Sequence, residues 1–210
     1  MSSFSFFGVL SAAAAVACLS CSGGTSNGSS SGSGPNGTGT GTGITAGLDG
    51  TWDITSAGRG SIGPSEMTIS NGVVDGFVAS PGEGEESSGC TKVKDRGAFK
   101  LTFEGNALSG TIDVVREYEG GAECTSMNRT DVSPVTGTRK NAGSGLSGEW
   151  EVTVGKNKPF IVVVDGLTAK AWDKARKADA DEAAVTATVA GASATVAADD
   201  RDFSFAARRR

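Results

Sequence analysis

From Thr51 onward the chain runs in short segments that alternate apolar and polar residues with a period of two, the signature of half-buried strands. EMTIS (Glu66–Ser70) and VVDGFVA (Val73–Ala79) flank Asn71-Gly72; FKLTFE (Phe99–Glu104) and ALSGTIDVV (Ala107–Val115) flank Gly105-Asn106. Further along, PFIVVV and LTAKAW flank Asp165-Gly166, and AVTATV and ASATVAA flank Ala190-Gly191. Each intervening pair suits a two-residue hairpin turn, so four hairpins are predicted. An opening run, LDGTWDIT (Leu48–Thr55), returns as LSGEWEVT (Leu146–Thr153). Two closing runs end in arginine, VTGTRK (Val135–Lys140) and FSFAARR (Phe203–Arg209). Residues 48–140 and 146–210 therefore carry the same six segments in the same order, read as an internal repeat. The fold class is all-β: an antiparallel meander of about ten to twelve strands in two homologous halves, closed into a barrel or packed as a sandwich.

The pieces between the hairpins differ. DKARKADADEAA has good helix formers and predicts a few turns of helix over Lys174–Ala184, whereas SPGEGEESSGCTKVKDRG reads as loop. With Gly105-Asn106 as a turn, Phe103 faces Leu108 and Phe99 faces Ile112. Strict continuation sets Cys90 opposite Gly121, three residues short of Cys124. Glycine-rich segments on both sides can absorb that offset, so a Cys90–Cys124 disulfide is expected in an oxidising compartment.

Before residue 48 the composition changes completely. Phe6–Ala17 is an uncharged apolar run of 12 residues, too short to span a bilayer and the length of a signal-peptide core, although no Lys or Arg precedes it. Small residues Ala15-Val16-Ala17 then precede Cys18, and Cys21 follows three residues later. This arrangement resembles a bacterial lipoprotein signal (residues 1–20), which implies acylation of Cys18, with Cys21 as the alternative. Residues 21–47 are predicted to be a flexible tether, since every residue from Ser22 to Gly43 is Gly, Ser, Thr, Asn or Pro. As a Gly/Ser-rich coil it spans roughly 25 Å. The resemblance implies a protein of the bacterial cell envelope, periplasmic or surface-exposed, attached to the membrane through its N-terminal lipid.

Charge and chemistry narrow the function classes. All 43 charged residues lie at or after Asp49, and the net charge is -5, which disfavours nucleic acid as a partner. The chain has no histidine, the commonest general base and metal ligand. Matches to G-x-S-x-G around Ser30 and to G-x-G-x-x-G from Gly32 sit in the tether, where no strand or helix supports them. The G-x-G-x-x-G from Gly58 to Gly63 is followed by Pro64 and a strand-like run rather than a helix. Asp179, Asp181 and Glu182 lack the spacing of a calcium loop. The expectation is a non-catalytic domain with no metal and no cofactor.

Gly50-Thr51-Trp52 and Gly148-Glu149-Trp150 resemble the first-strand motif of lipocalin-like (calycin) barrels. The resemblance implies that each tryptophan plugs a closed barrel end beneath an arginine from a final strand, roles that fall to Arg139 and Arg208. Two functions remain open: a structural or protein-interaction domain that binds another envelope component, or a barrel that holds a small apolar ligand. A packed or a hollow interior separates them, since ligand pockets need roughly 300 to 1,000 Å³.

Overall fold

The computed structural model describes residues 45, 47–56, 62–84, 86–141, 145–165, 168–173, 185–198 and 203–210. The expected signal peptide, nearly all of the expected tether and the helix expected over 174–184 lie outside the described residues. Thirteen strands follow one another: β1 (Gly50–Ser56), β2 (Ser65–Ser70), β3 (Val73–Ala79), β4 (Glu86–Ser87), β5 (Cys90–Glu104), β6 (Ala107–Glu119), β7 (Arg129–Arg139), β8 (Gly148–Val154), β9 (Phe160–Asp165), β10 (Thr168–Asp173), β11 (Val185–Ala190), β12 (Ser193–Ala198) and β13 (Phe203–Arg209). A single helical turn, α1 (Ala122–Thr125), separates β6 from β7.

Except for β3 and β4, strands consecutive along the chain pair antiparallel; β3 pairs instead with β5, and β13 returns to β1. The result is a closed twelve-stranded meander barrel, with β4 attached outside the ring to the start of β5. Closure decides between the two architectures in favour of the barrel and leaves no edges around its wall. Six ring strands come from residues 48–140 and six from residues 146–210.

Alternation sets the interior. Trp52, Ile54, Met67, Ile69, Val74, Phe99, Leu101, Phe103, Leu108 and Ile112 fill one side, and Trp150, Val152, Val162, Val164, Ala169, Ala194, Val196 and Ala207 the other. At the hairpins, Asn71 and Gly72 both have positive φ, 50° and 82°, as a type I′ turn requires, and join Ser70 to Val73. Phe103 lies opposite Leu108 and Phe99 opposite Ile112, the register read from the sequence. Two turns fall one residue later than expected. Asp165 pairs with Thr168, adding a rung in which Thr168 Oγ1 donates to the Asp165 carbonyl at 3.1 Å. Ala190 pairs with Ser193, which sets buried Val189 against buried Ala194, a match that the earlier turn would have lost.

Strand lengths are unequal. Most strands have six or seven residues, whereas β5, β6 and β7 have fifteen, thirteen and eleven. Since β3 leaves β5 at Arg96, residues 90–95 run on past the barrel wall for roughly 20 Å at strand rise. The three long strands form a ribbon standing above one end of the barrel.

Candidate functional site

The two ends of the barrel are built differently. At one end lie the starts of β1 and β8, the ends of β7 and β13, and four tight hairpin turns. Trp52 and Trp150, 1 % and 0 % exposed, fill that end. Each indole Nε1 donates to the carbonyl of the leucine four residues earlier, Leu48 or Leu146, at 2.9 Å in both cases. An arginine directly across the seam covers each ring: Arg139 over Trp150 at 5.4 Å and Arg209 over Trp52 at 5.7 Å. Both are cation–π contacts in which the guanidinium also donates outward, Arg139 to the Gly145 and Ser147 carbonyls and Arg209 to the Gly47 carbonyl. Gly50 and Gly148, at φ 139° and 134°, leave room for the arginine stems, because a Cβ at either would lie 3.0 Å from the arginine Cδ.

The arginine assigned from sequence at the second position is therefore corrected: Arg209, not Arg208, covers Trp52. Arg208 pairs with Asp53 in the β1 register and its side chain is exposed. Period-two alternation explains the difference. Ala207 is buried, so the next inward position is 209, a signal that was present in the sequence but obscured by three consecutive arginines. The residues that follow match too. The Lys140 N–H donates to the Glu149 carbonyl and its ammonium pairs with Glu151 at 3.3 Å; the Arg210 N–H donates to the Thr51 carbonyl and its guanidinium pairs with Asp53. Hydrogen bonding from Arg210 is the main cause holding the exposed Asp53 carboxyl below its ordinary value of 3.8.

The opposite end carries the longer connections and the ribbon. On the inner face of the ribbon Asp95, 4 % exposed, accepts a hydrogen bond from Arg116 Nε at 3.2 Å and pairs with Lys92 Nζ at 3.2 Å. Asp95 and Arg116 are direct cross-strand partners, so the strand register itself delivers the pairing. A buried carboxylate is tolerable only with such neutralisation. On the outer face Lys94 pairs with Glu117 at 2.8 Å, and Arg96 pairs with Glu83 while stacking 4.3 Å over Phe77. Three buried polar atoms here, Glu83 Oε2, Arg96 Nε and Asp113 Oδ1, lack a hydrogen-bond partner.

Cys90 and Cys124 are joined in a disulfide at the top of the ribbon, with Cα atoms 5.5 Å apart. The three-residue offset read from sequence is resolved in two steps. The bulge at Val93 first widens the offset to four by bringing Cys90 level with Gly120, and α1 then closes it by folding Cys124 back over the strand end. Cys18 and Cys21 lie outside the described residues. Among the described residues, no three His, Cys, Asp or Glu side chains converge in a way that could hold a metal ion. The arrangement at this end is a set of ion pairs around an ordered ribbon.

No protein-family model matches the chain, and neither the curated proteins nor the solved structures contain a significant match to it.

Proposed function

We propose that the chain is a lipid-anchored protein of the bacterial envelope whose β domain is a non-catalytic structural or protein-interaction module. In this reading Cys18 carries the lipid, or failing that Cys21, and residues 21–47 hold the barrel clear of the membrane. The observation that carries the choice of module is the close packing of the inward side chains among the described residues. Core side chains from both halves, Trp52 and Trp150 to Ala169 and Val196, are each at most 8 % exposed. A ligand cavity would leave its lining accessible to a water-sized sphere, so this packing favours an interaction domain over a container for an apolar molecule. The matched Trp–Leu, Trp–Arg and Gly–Arg contacts further support descent of the two halves from one duplicated unit.

Two measurements test the reading. Labelled fatty acid supplied to a Gram-negative host expressing the full chain should enter the protein, and Cys18→Ser should abolish the labelling. A mature protein recovered unlabelled in the soluble periplasmic fraction would remove the anchor. Titration with an apolar fluorescent probe should show no saturable, stoichiometric uptake; one molecule bound per barrel would favour the container instead.

A further inference from the structure

The ribbon leaves one strand edge open. β8 pairs with β7 only from Val135 to Arg139, so among the described residues Arg129–Ser133 has β6 on one side and no strand on the other. The direction of each backbone group follows from the hydrogen bonds that flank this stretch. The Arg139 N–H donates to the Asn106 carbonyl in the turn before β6, while the Pro134 carbonyl accepts from Gly155 and the Lys140 N–H donates to Glu149, both on the β8 side. The β6–β7 register is unbroken from residue 139 to residue 129, so odd positions bond to β6 and even positions face outward. Thr130 and Val132 therefore present their N–H and C=O groups on the open edge. Pro134, which has no N–H to present, marks where β8 departs.

Two side-chain observations fall on the same stretch. Val132, 60 % exposed, and Met127, 46 % exposed, are the exposed large apolar residues among those described. Arg129 and Asp131 pair with each other on one face, with side chains about half exposed.

We propose that this edge is a self-association site, at which a second copy of the chain adds its own β7 antiparallel with Thr130 opposite Thr130 of the second copy. Outward-facing residues must meet outward-facing residues, which restricts the two-fold axis within the edge to residues 130, 131 or 132. Centring on 131 sets Asp131 against Asp131, like charges directly opposed. Centring on 132 sets Thr130 against Pro134, which has no donor. Centring on 130 sets Arg129 against Asp131 twice, in the closely spaced pairing where side chains meet best. It also brings Val132 opposite Asn128, one residue from Met127, so both exposed apolar residues lie within the joined ribbon. The two-fold arrangement is closed and isologous, which limits assembly to dimers.

The test is crosslinking in the exported full-length chain. Thr130→Cys places a thiol opposite its own copy at a strand spacing of about 5.5 Å, within bridging range. It should run as a reducible dimer on a non-reducing gel, whereas Val132→Cys, offset by four residues from its copy, should run as monomer. On the Thr130→Cys background, Asp131→Arg should lower the dimer fraction about tenfold, and Arg129→Asp with Asp131→Arg should restore it. A monomeric Thr130→Cys chain, equal dimer from both cysteine variants, or a charge reversal without effect would each overturn the proposal. Since the charge exchange is read as a recovery, a variant that merely misfolds cannot imitate the expected result.

Discussion

Replacing Trp52 or Trp150 by alanine probes the plugged end most directly. A tryptophan buries some 150–250 Å² when enclosed, and subtracting the alanine that remains leaves about 150 Å² of apolar surface lost, or about 4 kcal/mol at 25 cal/mol per Å². The carbonyl of Leu48 or Leu146 loses its indole donor, adding about 1 kcal/mol. The sum falls at the upper end of the roughly 3–5 kcal/mol observed for buried Trp to Ala. Trp150 also meets Phe103 edge-on, ring centroids 5.6 Å apart, which adds up to about 1 kcal/mol to the cost of its loss. Urea unfolding followed by circular dichroism should show each midpoint falling by about 2 M, given an m-value of about 2 kcal/mol/M. Trp to Phe keeps most of the bulk and should cost roughly half as much. A midpoint shift below about 0.5 M for either alanine variant would refute the reasoning, because a side chain so enclosed cannot be removed cheaply from a packed plug.

Arg209→Ala should destabilise by about 1 kcal/mol through loss of its ring contact and carbonyl bond, while Arg208→Ala should be neutral within about 0.5 kcal/mol; thermal unfolding of the pair checks the corrected assignment. Replacing Cys90 and Cys124 together by serine should cost about 4 kcal/mol for a closed loop of 34 residues, and the parent protein should show no thiol titratable from these two positions after denaturation. Gly110→Ala should cost at least about 3 kcal/mol, since φ is 155° and a Cβ would lie 2.0 Å from the Lys100 carbonyl oxygen, whereas Gly121→Ala meets open space and should be almost silent. The depressed Asp53 carboxyl contributes stability that is fully present above its ordinary value of 3.8 and is lost as pH falls through its lower folded value; Asp53→Asn should therefore lower stability across the neutral range and flatten the acid limb of the profile.

Much of the barrel was legible because its turns and its alternation agree. Asn71-Gly72 and Gly105-Asn106 sit between runs of opposite parity, so each hairpin could be registered from local chemistry alone, and the Phe103–Leu108 pairing follows. Ala190-Gly191 misplaces the turn by one residue because Gly191 suits either central position, and the pairing of Asp165 with Thr168 shows the same one-residue shift in the other hairpin. The rung that decides, Val189 against Ala194, depends on packing across the barrel. Barrel and sandwich could not be separated from sequence, since the distinguishing seam joins β1 to β13, residues far apart in the chain. The length of β5 was hidden by the polar run TKVKD, whose Asp95 is buried only because Arg116 and Lys92 neutralise it. The open β7 edge carries no signature, because RTDVS reads as any exposed strand until its neighbour is seen to end.

That β1–β13 seam has a kinetic consequence. All other seams of the ring join strands that follow closely along the chain, so they can zip as successive hairpins with short loops to close. Only the final one must gather segments more than a hundred residues apart, Trp52 with Arg209 at its end. A sheet of twelve zipped strands awaiting its closing seam exposes two long edges and an open apolar face, the most vulnerable species on the route. The arginine that covers Trp52 arrives with the last strand, so the first plug is completed at the same moment as the ring, and the late barrier and the final burial of Trp52 should share one rate constant.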